Sequence, residues 1–164
     1  DQLFAGISIG DECPISCDNC PFDTTDADGN GVPDLCDTGG ATSHACCLPD
    51  FNLHMTESGQ VFYNTSEILG GYQFNVEGAT VLGVSGGDAG FAAYNNSSNA
   101  TTGTCLGFSM TGTSIPAGCG ILIEAELDGI PTGLSAILIT DPTGESTYPF
   151  VNYSSESSTV FSSF

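Results

Sequence analysis

The sequence predicts an all-β protein: an antiparallel sandwich of jelly-roll type, about eight or nine short strands, preceded by a cysteine-rich acidic module. Three observations carry that expectation. From Phe51 onward, apolar and polar residues alternate with the period of two that turns one face of a strand inward. Gly, Pro, Asn and Asp interrupt those runs at short intervals, as turns between strands require. No window carries a helical period long enough for an amphipathic helix.

Taken in order, residues 1–10 (DQLFAGISIG) place Leu3, Ala5, Ile7 and Ile9 on one side of an expected N-terminal strand. The cysteine-rich stretch after it discourages a short hairpin back onto the sandwich. This makes the segment a candidate donor strand for a neighbouring subunit. Residues 11–50 are the cysteine-rich module and residues 51–153 the sandwich. There Phe51, Leu53 and Met55 alternate with Asn52, His54 and Thr56, and Tyr72, Phe74 and Val76 with Gln73, Asn75 and Glu77. ATVLGVS, AGFAAY, TCLGFSM, ILIEAEL, LSAILIT and TYPFVNY read as further strands. YNNSSNATTG (94–103) has the composition of an exposed loop. Residues 154–164 form a Ser-rich tail ending in the apolar VFSSF. A chain that opens on Asp1 with neither Met nor a signal peptide reads as a processed, mature polypeptide.

Among 164 residues there are 20 Asp and Glu and 0 Lys and Arg, a formal charge of −20. Such a surface repels phosphate backbones and anionic headgroups, which excludes nucleic acid and membrane surfaces as expected partners. Metal cations are favoured instead. Ten of the acids lie in residues 1–50, and eight of those between Asp11 and Asp37, so the charge is concentrated rather than spread.

Within TDADGNGVPDLCD (25–37) that concentration has a pattern. With Asp26 as the first position of a loop, Asp28 stands third, Asn30 fifth, Gly31 sixth, Val32 seventh, Asp34 ninth and Asp37 twelfth. Calcium loops use this spacing: side-chain oxygens at the odd positions and the last, a backbone carbonyl at the seventh, glycine at the sixth for the sharp turn. Two features depart from a helix–loop–helix hand. The last ligand is Asp rather than Glu, and Pro33 with the nearby cysteines opposes a standard exiting helix. The longer stretch CDNCPFDTTDADGNGVPDLCD (17–37) resembles the thrombospondin type 3 repeat. That resemblance implies calcium, a disulfide-stapled loop with Cys20 and Cys36 at its cysteine positions, and a second ion served by Asp18, Asn19 and Asp23. A module with so little apolar core folds on its metal-binding free energy.

A second resemblance lies in ILGGYQFNVEGATVLGVSGG and LGFSMTGTSIPAGCGILIEAEL, which are similar to the cohesin-type sandwich over roughly residues 51–141. It implies the sandwich fold and an association with surface scaffolds and adhesins.

Cys13, Cys17, Cys20, Cys36, Cys46, Cys47, Cys105 and Cys119 form an even set, which points to disulfides and an oxidising compartment. Their pairing is open. Cys105 and Cys119 bracket GFSMTGTSIPAG, so a bridge between them would staple one turn. Zinc is the rival, with Cys17, Cys20, His44, Cys46 and Cys47 as ligands, although the spacing forms no clean knuckles. Five N-x-[ST] sequons, at Asn64, Asn95, Asn96, Asn99 and Asn152, agree with export and make the chain an expected glycoprotein.

No catalytic constellation emerges. The chain has two histidines: His44 sits in a Gly/Ser/Thr linker, and His54 occupies an outward strand position. Glu124 and Glu126 share a strand face about 7 Å apart, a glycosidase-like spacing that solvent-facing acids explain more simply. The expected role is therefore structural and not enzymatic: a subunit that polymerises head to tail with itself into a calcium-stabilised extracellular filament, through strand addition by a terminal segment. The alternative is a monomeric calcium-dependent adhesion module that binds carbohydrate or a surface protein. With no Trp and five Tyr, the sequence offers such a module a poor aromatic platform.

Overall fold

The computed structural model describes residues 3–4, 7–8, 25–30, 33–37, 42 and 44–153. Two five-stranded sheets make up its body. One runs β11 (Thr147–Tyr148), β10 (Gly133–Thr140), β5 (Gly71–Glu77), β8 (Thr104–Phe108), β7 (Asn95–Asn99). The other runs β12 (Val151–Asn152), β3 (Asn52–Met55), β4 (Gln60–Thr65), β9 (Gly118–Asp128), β6 (Thr80–Ser85). Every pairing is antiparallel except that of β12 with β3. The expected all-β sandwich is thus the observed architecture.

Alternation explains the layers. Leu53 and Met55 on β3, Val61 and Tyr63 on β4, and Tyr72, Phe74 and Val76 on β5 are buried, while the residues between Leu53 and Met55 or Phe74 and Val76 are only partly so. The two inner faces meet in a core where Leu53, Val61, Phe74, Val81, Leu122, Ile123 and Ile139 are wholly removed from solvent. Each such side chain contributes about 1.5–3 kcal/mol relative to exposure. Leu69, Ile115, Ala89, Tyr94 and Phe150 join the same core.

Three bulges adjust the alternation. On β9, Val61 pairs with Ile123 but Phe62 with Ile121, so Leu122 is the extra residue and both Leu122 and Ile123 turn inward. On β6, the same slip leaves Leu82 outward and more than half exposed. On β10, it falls between Ser135 and Leu138, where Ala136 takes a φ of 49°. Extra residues of this kind bend and twist a strand, here helping two sheets wrap one core.

Four expectations about elements are corrected. AGFAAY is no strand: Gly86 and Gly87, both at positive φ, lead the chain off β6 into a short helix, α2 (Gly87–Phe91), which drops Ala89 into the core. A Cβ on Gly87 would strike the Leu122 carbonyl of β9, so the close approach needs glycine. YNNSSNATTG is not all loop, since Asn95–Asn99 pairs along its full length with β8. TYPFVNY is not one strand. Its halves, β11 and β12, edge opposite sheets, with Pro149 unable to continue a ladder and Phe150 buried at the crossing. Phe51 holds this crossing through ring contacts with Tyr148 at 5.9 Å and Phe150 at 5.5 Å.

The fourth correction concerns the N-terminal strand. β1 (Leu3–Phe4) pairs antiparallel with β2 (Ile7–Ser8), so the segment is two short strands rather than one. The register sets Leu3 opposite Ser8 and Phe4 opposite Ile7. The side chains of Leu3, Ala5, Ile7 and Ile9, and the tail 154–164, lie outside the described residues.

Candidate metal centre

The acidic loop is built by its own backbone donors. Asp34 donates its N–H to the Thr25 carbonyl at 2.7 Å, closing the loop, and Ala27 N–H reaches the Asp34 carboxylate at 3.0 Å. Gly29 and Asn30 donate their N–H groups to Asp26 Oδ1 at 2.7 and 3.1 Å. Gly29, at φ 72°, supplies the left-handed residue of this turn. Asn30 Nδ2 donates to Asp28 Oδ2 and to Asp37 Oδ1, each at 3.1 Å. A four-residue helix, α1 (Asp34–Asp37), follows Pro33, which suits a helix's first turn because its missing N–H would be unpaired there anyway. The loop is therefore followed by one helical turn, where Pro33 had argued against a standard exiting helix.

The outcome is a convergence of charge. Asp26, Asp28 and Asp34 each bring an oxygen within 4.8 Å of the other two. At that separation two unit charges repel by about 0.9 kcal/mol in bulk water and about 3.5 kcal/mol at an effective dielectric of 20. Oxygens bound to one calcium at 2.3–2.6 Å can lie no farther apart than about 4.6–5.2 Å. The trio meets that limit. Asn30 and Asp37, the fifth and twelfth loop positions, are hydrogen-bonded to each other beside it. Val32, Asp18, Asn19 and Asp23 lie outside the described residues.

Two disulfides fix this loop to the sandwich. Cys36 on α1 bridges Cys47, and the adjacent Cys46 bridges Cys119 at the start of β9. Both Cys46 and Cys47 belong to one 3-10 turn (Ala45–Cys47), whose Ala45 is buried and whose N–H at Cys46 is accepted by His44 Nδ1 at 3.2 Å. Being oxidised, Cys46 and Cys47 are not zinc ligands. The Cys105–Cys119 bridge, one of the pairings the sequence left open, does not form: Cys105 is a free, buried thiol on β8, and Cys119, on β9 in the opposite sheet, bridges Cys46. Burial pushes the Cys105 thiol up to about 12. Cys13, Cys17 and Cys20 lie outside the described residues.

The remaining candidates fall into place on the sandwich. His54 is half-buried between Phe62 and Tyr153, with ring centroids 6.4 and 6.3 Å away, and desolvation lowers its pKa. Glu124 and Glu126 are exposed along a shallow groove with Ser58, Gln60 and Ser85, and Gln60 Nε2 donates to Glu124 at 3.3 Å. The five sequons divide, with Asn95 and Asn99 exposed and Asn64, Asn96 and Asn152 partly buried. Among the described residues no helix is long and apolar enough to cross a membrane. Sequence reasoning missed the Cys46–Cys119 and Cys36–Cys47 pairings, for which spacing carries no signal.

No protein-family model matches this sequence, and no curated protein or solved structure matches it.

Proposed function

We propose that the chain is a structural subunit of an extracellular filament or surface fibre, in which calcium stiffens the joint between the acidic loop and the sandwich. The observation that carries this reading is the carboxylate trio of Asp26, Asp28 and Asp34, spaced as a calcium loop and bolted to β9 through two disulfides. Asp26, Asp28, Asn30, Asp34 and Asp37 would supply side-chain oxygens, with Val32 supplying its carbonyl. Asn30 offers nitrogen to Asp28 and Asp37, whereas a calcium ligand must offer oxygen. Uptake therefore turns the Asn30 amide over. Disulfides between described cysteines support an oxidising, extracellular setting.

Growth by strand addition needs an open sheet edge, and the short end strands β11 and β12, two residues each, leave much of β10 and β3 uncovered. The donor in this reading is a terminal segment of the next subunit, which makes the contact head to tail.

The second reading, a monomeric calcium-dependent module that binds a protein or carbohydrate partner, has its own support. Phe91 and Met110 are 85 % and 76 % exposed, and a hydrogen bond from Thr113 to the Ala92 carbonyl brings their loops to one end of the sandwich. Titration calorimetry of the full chain with calcium, followed by light scattering and negative-stain imaging with and without chelator, separates the two. Calcium uptake with long polymers supports the filament; uptake with a monodisperse single-subunit species rejects it in favour of the module. No heat at millimolar calcium removes both.

A further inference from the structure

Five sequons look equivalent in the sequence; the fold makes them unequal. Asn64 donates Nδ2 to the Leu48 carbonyl at 2.6 Å, a bond that ties the 3-10 turn's exit to β4. Asn96 accepts the Tyr72 hydroxyl at 2.8 Å, and Tyr72 is almost wholly buried. Asn152 accepts the Leu134 N–H at 3.1 Å, linking β12 to β10 across the two sheets. Asn64 commits the very Nδ2 that a sugar would take, Asn152 is partly buried with its Nδ2 packed beside Gly133, and Asn96 is partly buried against β8 and Tyr72, so none has the open surroundings of an exposed strand face.

Asn95 and Asn99 differ. Both are exposed and occupy the same outward face of β7, about 13 Å apart at the rise of an extended strand. Asn99 Oδ1 accepts from the Thr101 and Thr102 N–H groups at 2.9 and 3.3 Å. With the oxygen held against the turn, the planar amide directs Nδ2 away from it. The overlapping sequons at Asn95 and Asn96 are resolved by the strand's period of two: Asn95 faces out and Asn96 faces Tyr72. β7 is also the last strand of its sheet, hydrogen-bonded to β8 on one side, while its other side lies close to β6, the end strand of the opposite sheet.

We propose that Asn95 and Asn99 carry N-linked glycans in the folded protein, and that Asn64, Asn96 and Asn152 stay bare. The donor class is an oligosaccharide on a polyisoprenyl phosphate or diphosphate carrier. Asparagine Nδ2 forms a bond to the sugar's C1 as the C1–O bond to the carrier breaks. The electron pair leaves with the carrier's phosphate oxygen, Nδ2 gives up one proton to a base, and nothing is oxidised or reduced. Where transfer precedes folding, the fold acts afterwards as a filter, since a chain modified at Asn64 would lose its bond to the Leu48 carbonyl and one modified at Asn96 or Asn152 would crowd a partly buried site.

The test uses the full chain secreted from a cell that performs this transfer. The lack of Lys and Arg makes trypsin useless, but cleavage before Asp after reduction gives fragments 50–87, 88–127 and 141–164, which separate Asn64, the β7 group and Asn152. The expected result is two glycan masses on 88–127, assigned by fragmentation to Asn95 and Asn99, and none on the others. Glycans on folded protein at Asn64, Asn96 or Asn152, or bare asparagine at both Asn95 and Asn99, overturn the assignment.

Discussion

Removing the Cys46–Cys119 bridge by paired Ala substitutions is the most direct test of how the acidic loop is held. The bridge closes 73 residues, against 11 for Cys36–Cys47. Constraint of the unfolded chain scales with the logarithm of loop length, giving about 4.4 kcal/mol for the first bridge and about 2.8 kcal/mol for the second at 25 °C. The difference, about 1.7 kcal/mol, is the sturdier expectation because the constant part of the entropy cancels. Both double variants would be unfolded in urea at saturating calcium and followed by near-ultraviolet dichroism of the core Tyr63 and Tyr72. Cys46→Ala with Cys119→Ala should cost the sandwich several kcal/mol, the greater loss of the two. A loss under about 1 kcal/mol, or a larger loss from Cys36→Ala with Cys47→Ala, would refute the claim that the long bridge anchors the module.

Two further outcomes follow from buried groups. Cys105 should resist alkylation at pH 8 in the native protein and react once it is unfolded, as peptide mapping would show. Because its folded pKa of about 12 exceeds the ordinary 9.0, its contribution to stability is intact below pH 9 and is lost as pH rises toward 12. His54 has the opposite sign: its folded pKa lies below the ordinary 6.5, since burial disfavours the imidazolium despite a hydrogen bond with the Tyr153 backbone. The unfolded state then binds more protons, so stability should fall as pH drops below 6.5, and His54→Gln should flatten that slope in pH-dependent urea melts.

The sandwich was legible because its signal is local. Leu53 and Met55, or Phe74 and Val76, announce an inward face within a few residues, and the acid spacing from Asp26 to Asp34 announces a convergence of carboxylates in the same way. What could not be read depends on distant partners. Asn95–Asn99 has a loop's composition and becomes a strand only because β8 offers it a ladder, which is how strand preference follows context rather than residue type. AGFAAY is short and apolar enough to serve either structure, and Gly87 packed against Leu122 decides for the helix. Gln60–Thr65 alternates Val61, Tyr63 and Thr65 inward, a pattern present in the sequence but not among the expected strands. Cysteine pairing is the extreme case, as Cys46 finds a partner in the sandwich while Cys105, the nearer candidate by sequence for Cys119, lies in the other sheet.

The pairing that spacing could not foresee also gives the module its mechanical logic. Successive residues of a 3-10 turn point about 120° apart, so Cys46 and Cys47 reach in different directions and serve two anchors from one peptide unit. With Cα separations of 5.0 and 5.6 Å across the bridges, Cys36 is tied to Cys119 by a short covalent path. Cys36 itself stands between Asp34 and Asp37 on α1. In the proposed reading, a cation that drew the carboxylates together would therefore pull on a residue already fastened to the first residues of β9. That strand lies between β4 and β6 in its sheet. The repulsion among three carboxylates, which no Lys or Arg in this chain can offset, is thereby made a property of the sandwich and not of a free appendage. The binding energy of the proposed ion would stiffen the joint only through that fastening.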